Sequence, residues 1–186
     1  MVTKSETTEI LTQPKLEEVT KPSIKRWLKH FFYMPAAKRY FNKQDQQAIA
    51  HAVEQAEQGH AGEIQVVIEG HIPAHQAYSQ DTRARAQQLF AELGVWDTEF
   101  NSGVLLYLNL CERKVEIVID RGIKNATEQK EWDSICQDVI GQMGQCQYRQ
   151  AMVQGVFEIG KVLADFYQHS RLDVKNELGN APIILE

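Results

Sequence analysis

Two strands joined by a tight polar turn constrain this chain more than any other feature. The stretch Asn101–Asp120 reads Asn-Ser-Gly-Val-Leu-Leu-Tyr-Leu-Asn-Leu-Cys-Glu-Arg-Lys-Val-Glu-Ile-Val-Ile-Asp. Gly103–Leu110 is almost continuously apolar, as a strand buried on both faces requires. Val115–Asp120 is rich in β-branched residues and carries Glu116 among them. The turn at Cys111–Lys114 is too short for a crossover, so the two strands pair antiparallel. Asp97, Glu99 and Asn101, before the first strand, therefore lie at the same sheet edge as Asp120 and Arg121, after the second.

Upstream, Asn42 as N-cap and Asp45 at N3 open a helix with the apolar stripe Ile49, Ala52, Val53 and Ala56, closed by Gly59. Gly62–Glu69 then alternates. Ile64, Val66 and Ile68 share one face; Glu63, Gln65 and Glu69 share the other, and Val67 breaks that polar face, so its centre is covered. Pro73 marks a loop, and Ser79 is placed to cap a second helix with inner residues Thr82, Ala86, Leu89, Phe90 and Leu93, closed by Gly94. Strand, helix, strand is a right-handed crossover with parallel strands. The fold class is α/β: a small mixed β-sheet, a βαβ crossover plus a β-hairpin, flanked by helices.

After Asp120, Asn125 with Glu128 forms a capping-box pattern. Trp132, Ile135, Cys136, Val139, Ile140 and Met143 make the stripe of a third helix, ended by Gly144. A fourth begins near Tyr148, with Met152, Gly155, Val156, Ile159, Leu163 and Phe166 inward. The tail from Asn176 reads as extended, with a docked apolar end. The organisation is a flexible arm over residues 1–41, an α/β domain over 42–168 and an extended tail over 169–186.

The 186 residues suit one such domain plus a tail. A formal net charge of −5 argues against general affinity for nucleic acid. Three scattered cysteines, Cys111, Cys136 and Cys146, make neither a disulfide framework nor a zinc knuckle, and point to a reducing compartment. The first residues lack the apolar core of a secretory signal, so the expected location is the cytoplasm.

Between Lys21 and Lys43 the bases Lys21, Lys25, Arg26, Lys29, Lys38, Arg39 and Lys43 interleave with Trp27, Leu28, Phe31, Phe32, Tyr33, Tyr40 and Phe41, with no acid among them. Two readings stand. The segment lies on an anionic membrane surface, where each Lys or Arg contributes about 1 kcal/mol. Or its aromatics pack on the domain and its bases form a solvated fringe.

Several of these pieces resemble the TPM domain family: Gly62-Glu63-Ile64-Gln65-Val66-Val67, Asn101-Ser102-Gly103-Val104-Leu105-Leu106, Glu116-Ile117-Val118-Ile119-Asp120-Arg121-Gly122-Ile123, and the paired C-terminal helices. The resemblance spans about residues 40 to 167. It implies a small sheet between helices. Many members carry a signal peptide and a membrane anchor; this chain is similar to the short soluble bacterial branch, whose tail pattern Asn176–Pro182 resembles, with Gly179 where Pro is common. Chloroplast members are linked to photosystem II repair and acid phosphatase activity, and others to divalent metal, calcium included. The soluble branch has no settled activity.

The leading candidate site is the acidic edge Glu63, Asp97, Glu99, Asn101 and Asp120, which offers the oxygen ligands that a hard cation such as calcium or magnesium takes. Asp97-x-Glu99-x-Asn101 starts like an EF-hand, but Ser102 and Leu108 stand where Gly and Glu belong. The competing reading makes Asp97 and Glu99 loop residues and gives Asp120 to Arg121, Lys124 or the following turn. A metal-assisted phosphatase would use Asp97 and Asp120 to activate water, with its anion near Asn125–Thr127. His71 and His75 have helical zinc spacing, but Pro73 between them makes that segment loop. The expected function is a non-catalytic accessory module at the cytoplasmic membrane face, acting on an unidentified protein partner, a membrane protein among the options, with a divalent cation in support. Metal-assisted hydrolysis is the alternative.

Overall fold

The computed structural model describes residues 21–34, 37–124, 127–167 and 176–186. Ser23 opens α1 (Ile24–Phe31), its hydroxyl accepting the Arg26 N–H at 3.2 Å. A 3₁₀ turn follows at Ala37–Arg39. The predicted capping box then starts α2 (Lys43–Ala56): Asn42 Oδ1 accepts the Gln44 and Asp45 N–H groups, and the Asp45 carboxylate accepts that of Asn42. Ile49, Ala52 and Val53 are buried along the expected stripe.

Strand β1 (Glu63–Glu69) leads into a one-turn helix, α3 (Ala74–Ala77), and then α4 (Thr82–Glu92). Ser79 is not the cap of α4. Its N–H and hydroxyl both donate to the Gln76 carbonyl, closing α3, and Asp81 caps α4 by accepting the Ala84 N–H at 2.9 Å. The hairpin follows as β2 (Gly103–Asn109) and β3 (Lys114–Ile119), with Arg113 in the left-handed region at its turn (φ 56°).

Asp120 leads into a one-turn helix, α5 (Arg121–Lys124). The capping box of α6 (Gln129–Gly144) uses Glu128 and Glu131; Asn125 lies outside the described residues. Trp132, Ile135, Cys136 and Val139 are buried on α6 as its stripe requires. Then come α7 (Tyr148–Phe166) and a short β4 (Ile183–Leu185) made by the tail.

The sheet order is β3-β2-β1-β4. β1 and β2 are parallel, β2 and β3 antiparallel, and β4 runs parallel to β1, pairing Ile183–Leu185 with Val67–Glu69. Alternation sends Ile64, Val66 and Ile68, with Val104, Leu106 and Leu108, into a core with α2, α6 and α7. The other face carries Val67, Leu105, Tyr107 and Val118 beneath Ala86 and Leu89 of α4. That second layer explains why the polar face of β1 is buried throughout.

Candidate functional site

The acidic edge is organised around Gly103. In register, Gly103 pairs with Glu63 of β1, and its carbonyl accepts the Asp120 N–H at 3.0 Å. Glu63 and Asp120 thus flank one glycine at one end of the sheet. A Cβ on Gly103 would stand 1.9 Å from the Val95 carbonyl oxygen, so no side chain fits between them. Asn101 adopts the left-handed conformation (φ 51°), which asparagine tolerates better than most residues. Its carbonyl accepts the Gly122 N–H at 3.1 Å, and a Cβ on Gly122 would stand 2.4 Å from that same oxygen. These close approaches give the Asn-x-Gly and Arg-Gly patterns their physical meaning: they stitch the two hairpin ends together.

The five predicted ligands fall into two groups. Glu63 and Asp120 are buried, whereas Asp97, Glu99 and Asn101 are exposed on the loop before β2. Glu63 accepts the N–H groups of Glu177 (3.4 Å) and Leu178 (3.2 Å), and the Glu177 carboxylate accepts the Glu99 N–H at 3.2 Å. Glu177 therefore joins the edge from the tail, a residue that local pattern alone could not place. Asp120 Oδ1 accepts the Arg121 N–H at 2.6 Å, while its Oδ2 is buried without a hydrogen-bond partner among the described residues.

Burial raises both Glu63 and Asp120 from the ordinary carboxylate range; nearby Glu177 adds to the rise of Glu63, and backbone N–H groups oppose it in both. Glu57, near Glu63, is pushed up to about 8 by burial, with help from the Glu63 charge, although it accepts the Ile64 N–H at 2.7 Å. A carboxyl whose folded pKa is raised contributes stability below its unfolded value, about 4.5, and loses that contribution as pH rises through about 8. Glu57→Gln keeps the acceptor and removes the titration. Its melting temperature should exceed the wild type's by a few degrees at pH 8.5 and match it near pH 4.5, as scanning calorimetry across that range would read.

Among the described residues, the one trio of His, Cys, Asp or Glu with ligand atoms within 4.8 Å of one another is His30, Cys111 and Glu112, away from this edge. His30 is fully buried. Its Nδ1 accepts the Ile72 N–H at 3.0 Å, so the ring proton sits on Nε2, facing Glu112 Oε1 at 3.2 Å. That tautomer has no Nε2 lone pair for a metal. Lys29 donates to the other Glu112 oxygen at 2.9 Å. The His30 ring and the Lys29 ammonium hold Glu112 down at about 2, against burial. The trio is a clamp between α1, the segment before α3 and the hairpin turn. His71 is only partly buried and His75 is exposed on α3.

The basic aromatic segment divides. Phe41 is buried in the core, and Tyr33 and Tyr40 pack against it. Arg26 fastens α1, donating from Nε to the Ala77 carbonyl (2.7 Å) and from a terminal nitrogen to that of Tyr78 (3.0 Å). The outer face is left apolar: Ile24, Leu28, Phe31, Phe32 and Met34 are 42–88% exposed. Residues 24, 28, 31 and 32 follow helical spacing along one stripe, and Lys21, Lys25 and Lys29 are exposed beside it. Among the described residues, no helix is long and apolar enough to cross a membrane.

A crossover and a hairpin in one small mixed sheet, with helices on both faces and acidic groups at the edge where its parallel strands begin, define a single-sheet α/β domain. The chain belongs to the TPM domain family, whose model matches residues 36–162. It is similar in structure to the BA42 protein from the psychrophilic bacterium Bizionia argentinensis, solved by NMR, with 26% identity, a TM-score of 0.67, and coverage of 77% of this chain and 94% of that one. The N-terminal domain of a P. gingivalis protein shares the fold at 19% identity and a TM-score of 0.58, over 72% of this chain and 82% of that one. None of the curated proteins searched matches the chain.

Proposed function

We propose that this TPM domain is a non-catalytic accessory module that rests on the anionic cytoplasmic face of a membrane through α1 and presents the rest of the domain to a protein partner there. The exposed apolar stripe of α1 carries the reading. An eight-residue helix with apolar groups turned outward is the reverse of what folding alone favours. Lys21 and Lys25, exposed beside the stripe, suit an anionic surface, each contributing about 1 kcal/mol. Charges of this kind are screened over about 10 Å at 0.1 M salt. The full chain should therefore sediment with vesicles containing phosphatidylserine and not with pure phosphatidylcholine, and molar salt should weaken the association several-fold. Equal binding to both vesicle types would contradict the reading.

The acidic edge supplies the second part of the proposal: a divalent cation held by Glu63, Asp120 and the loop of Asp97, Glu99 and Asn101. The partnerless buried Oδ2 of Asp120 favours it. A calcium or magnesium titration should move the amide signals of residues 97–103 and 120–123; no movement there would remove the cation from the account. The same Asp120 oxygen is what favours metal-assisted hydrolysis as a second reading. That reading requires metal-dependent phosphomonoesterase activity lost in Asp120→Asn.

A further inference from the structure

We infer that a cavity of about 770 Å³ between α1, the hairpin turn and the α6–α7 junction binds a single-chain anionic amphiphile, its tail against Leu108, Leu110, Ile140 and Met143 and its carboxylate on Arg113. The volume falls within the roughly 300–1,000 Å³ of small-ligand sites. Leu108 and Leu110 place it at the carboxyl end of β2, the end at which α/β sheets receive ligands and the one opposite the acidic edge.

Its walls select for charge. Their polar groups are the phenols of Tyr33, Tyr40 and Tyr148, the thiols of Cys111 and Cys146, and the cations Lys29 and Arg113; among the described residues no carboxylate lines the cavity, in a chain of net charge −5. Burial above all pushes Tyr33 up to about 12 and Cys111 up to about 11, so both stay protonated at neutral pH; the Cys111 thiol donates to the Lys29 carbonyl at 3.7 Å, which leaves the phenols as the cavity's neutral donors. The Lys29 ammonium is committed to Glu112. Arg113 is exposed, and among the described residues it has neither an ion pair nor a side-chain hydrogen bond. It lines the same cavity as the Tyr33 and Tyr148 phenols. Donors and one uncommitted cation above an apolar floor fit a carboxylate headgroup on an alkyl chain.

This inference does not rest on the membrane reading, because a dissolved amphiphile needs nothing from the outer face of α1. Calorimetric titration of the full chain with dodecanoate below its micellar concentration should saturate at one ligand per chain. Dodecanol should bind about tenfold more weakly, for want of the charged contact. Arg113→Gln, an exposed substitution, should weaken dodecanoate by about the same factor and leave dodecanol unchanged. Dodecanoate should also slow alkylation of Cys146, the exposed thiol of the three. Absence of saturable binding, equal affinity for acid and alcohol, or loss of dodecanoate binding on Phe31→Ser with Arg113→Gln unaffected would each overturn the proposal; the last would move the ligand to the outer face of α1.

Discussion

Arg85→Met is expected to destabilise the domain by about 3–5 kcal/mol, the cost of leaving a buried charge uncompensated. Glu69 is 1% exposed at the end of β1. From α4, Arg85 donates to it through Nε (3.0 Å) and a terminal nitrogen (2.7 Å), and Tyr107 donates its hydroxyl to the other carboxylate oxygen at 2.6 Å. Asn109 donates to that hydroxyl at 2.9 Å, and its own carbonyl accepts the Glu112 N–H at 2.8 Å, so the network reaches the hairpin turn. Gln76 and Gln88 accept from the remaining guanidinium nitrogen. Methionine preserves much of the apolar stem and removes every one of these donors. The Glu69 carboxylate then retains the Tyr107 hydroxyl as its side-chain donor and stands buried without the Arg85 cation. Adding Glu69→Gln should recover more than half of the loss, by chemical denaturation at pH 7. A single variant within about 0.5 kcal/mol of the wild type would show that the network contributes no more than an ordinary surface pair.

Gly103→Ala should cost about 3 kcal/mol or more, at the upper end for adding a methyl group to a packed site. The added Cβ would lie 1.9 Å from the Val95 carbonyl oxygen and 2.9 Å from its carbon, both backbone atoms. A flexible side chain could turn aside; a backbone carbonyl moves only with its segment, here the turn joining α4 to the loop of Asp97 and Glu99. The strand ladder holds Gly103 on its other sides through Glu63 and Asp120. Gly141 is the control. It sits in α6 with nothing within 4 Å of an added Cβ, and alanine there should stabilise by about 0.5–1 kcal/mol through helix propensity. Equal effects at the two positions, read as melting temperatures, would contradict the close-approach argument.

The hairpin, the crossover and the α2 cap were legible in the sequence because each is set locally. A four-residue turn, a period of two and an Asn-x-x-Asp spacing leave few alternatives. The same reasoning brought Glu63 and Asp120 to one end of the sheet, since strand direction alone decides it. Other features depend on what packs against what. Arg85 lies off the apolar stripe of α4, and only Glu69 of β1 beneath it accounts for its burial. Ser79 offered a sound capping residue, but α3 had already engaged both its polar groups. The partner of Glu63 comes from Glu177, more than a hundred positions away, where no periodicity can register it. In the basic aromatic segment, composition could not say which rings turn inward. Phe41 fills the core while Phe31 and Phe32 face out, because the His30 clamp and the Arg26 bonds fix the rotation of α1.

That rotation is what the membrane proposal depends on. The direct measurement is co-sedimentation with phosphatidylserine vesicles of the wild type against Leu28→Ser/Phe31→Ser/Phe32→Ser, three exposed changes expected to leave the melting temperature within a degree or two. The bound fraction should fall at least about tenfold, since each apolar side chain withdrawn from water contributes up to about 1.5–3 kcal/mol. Undiminished binding by a folded triple variant would contradict the account.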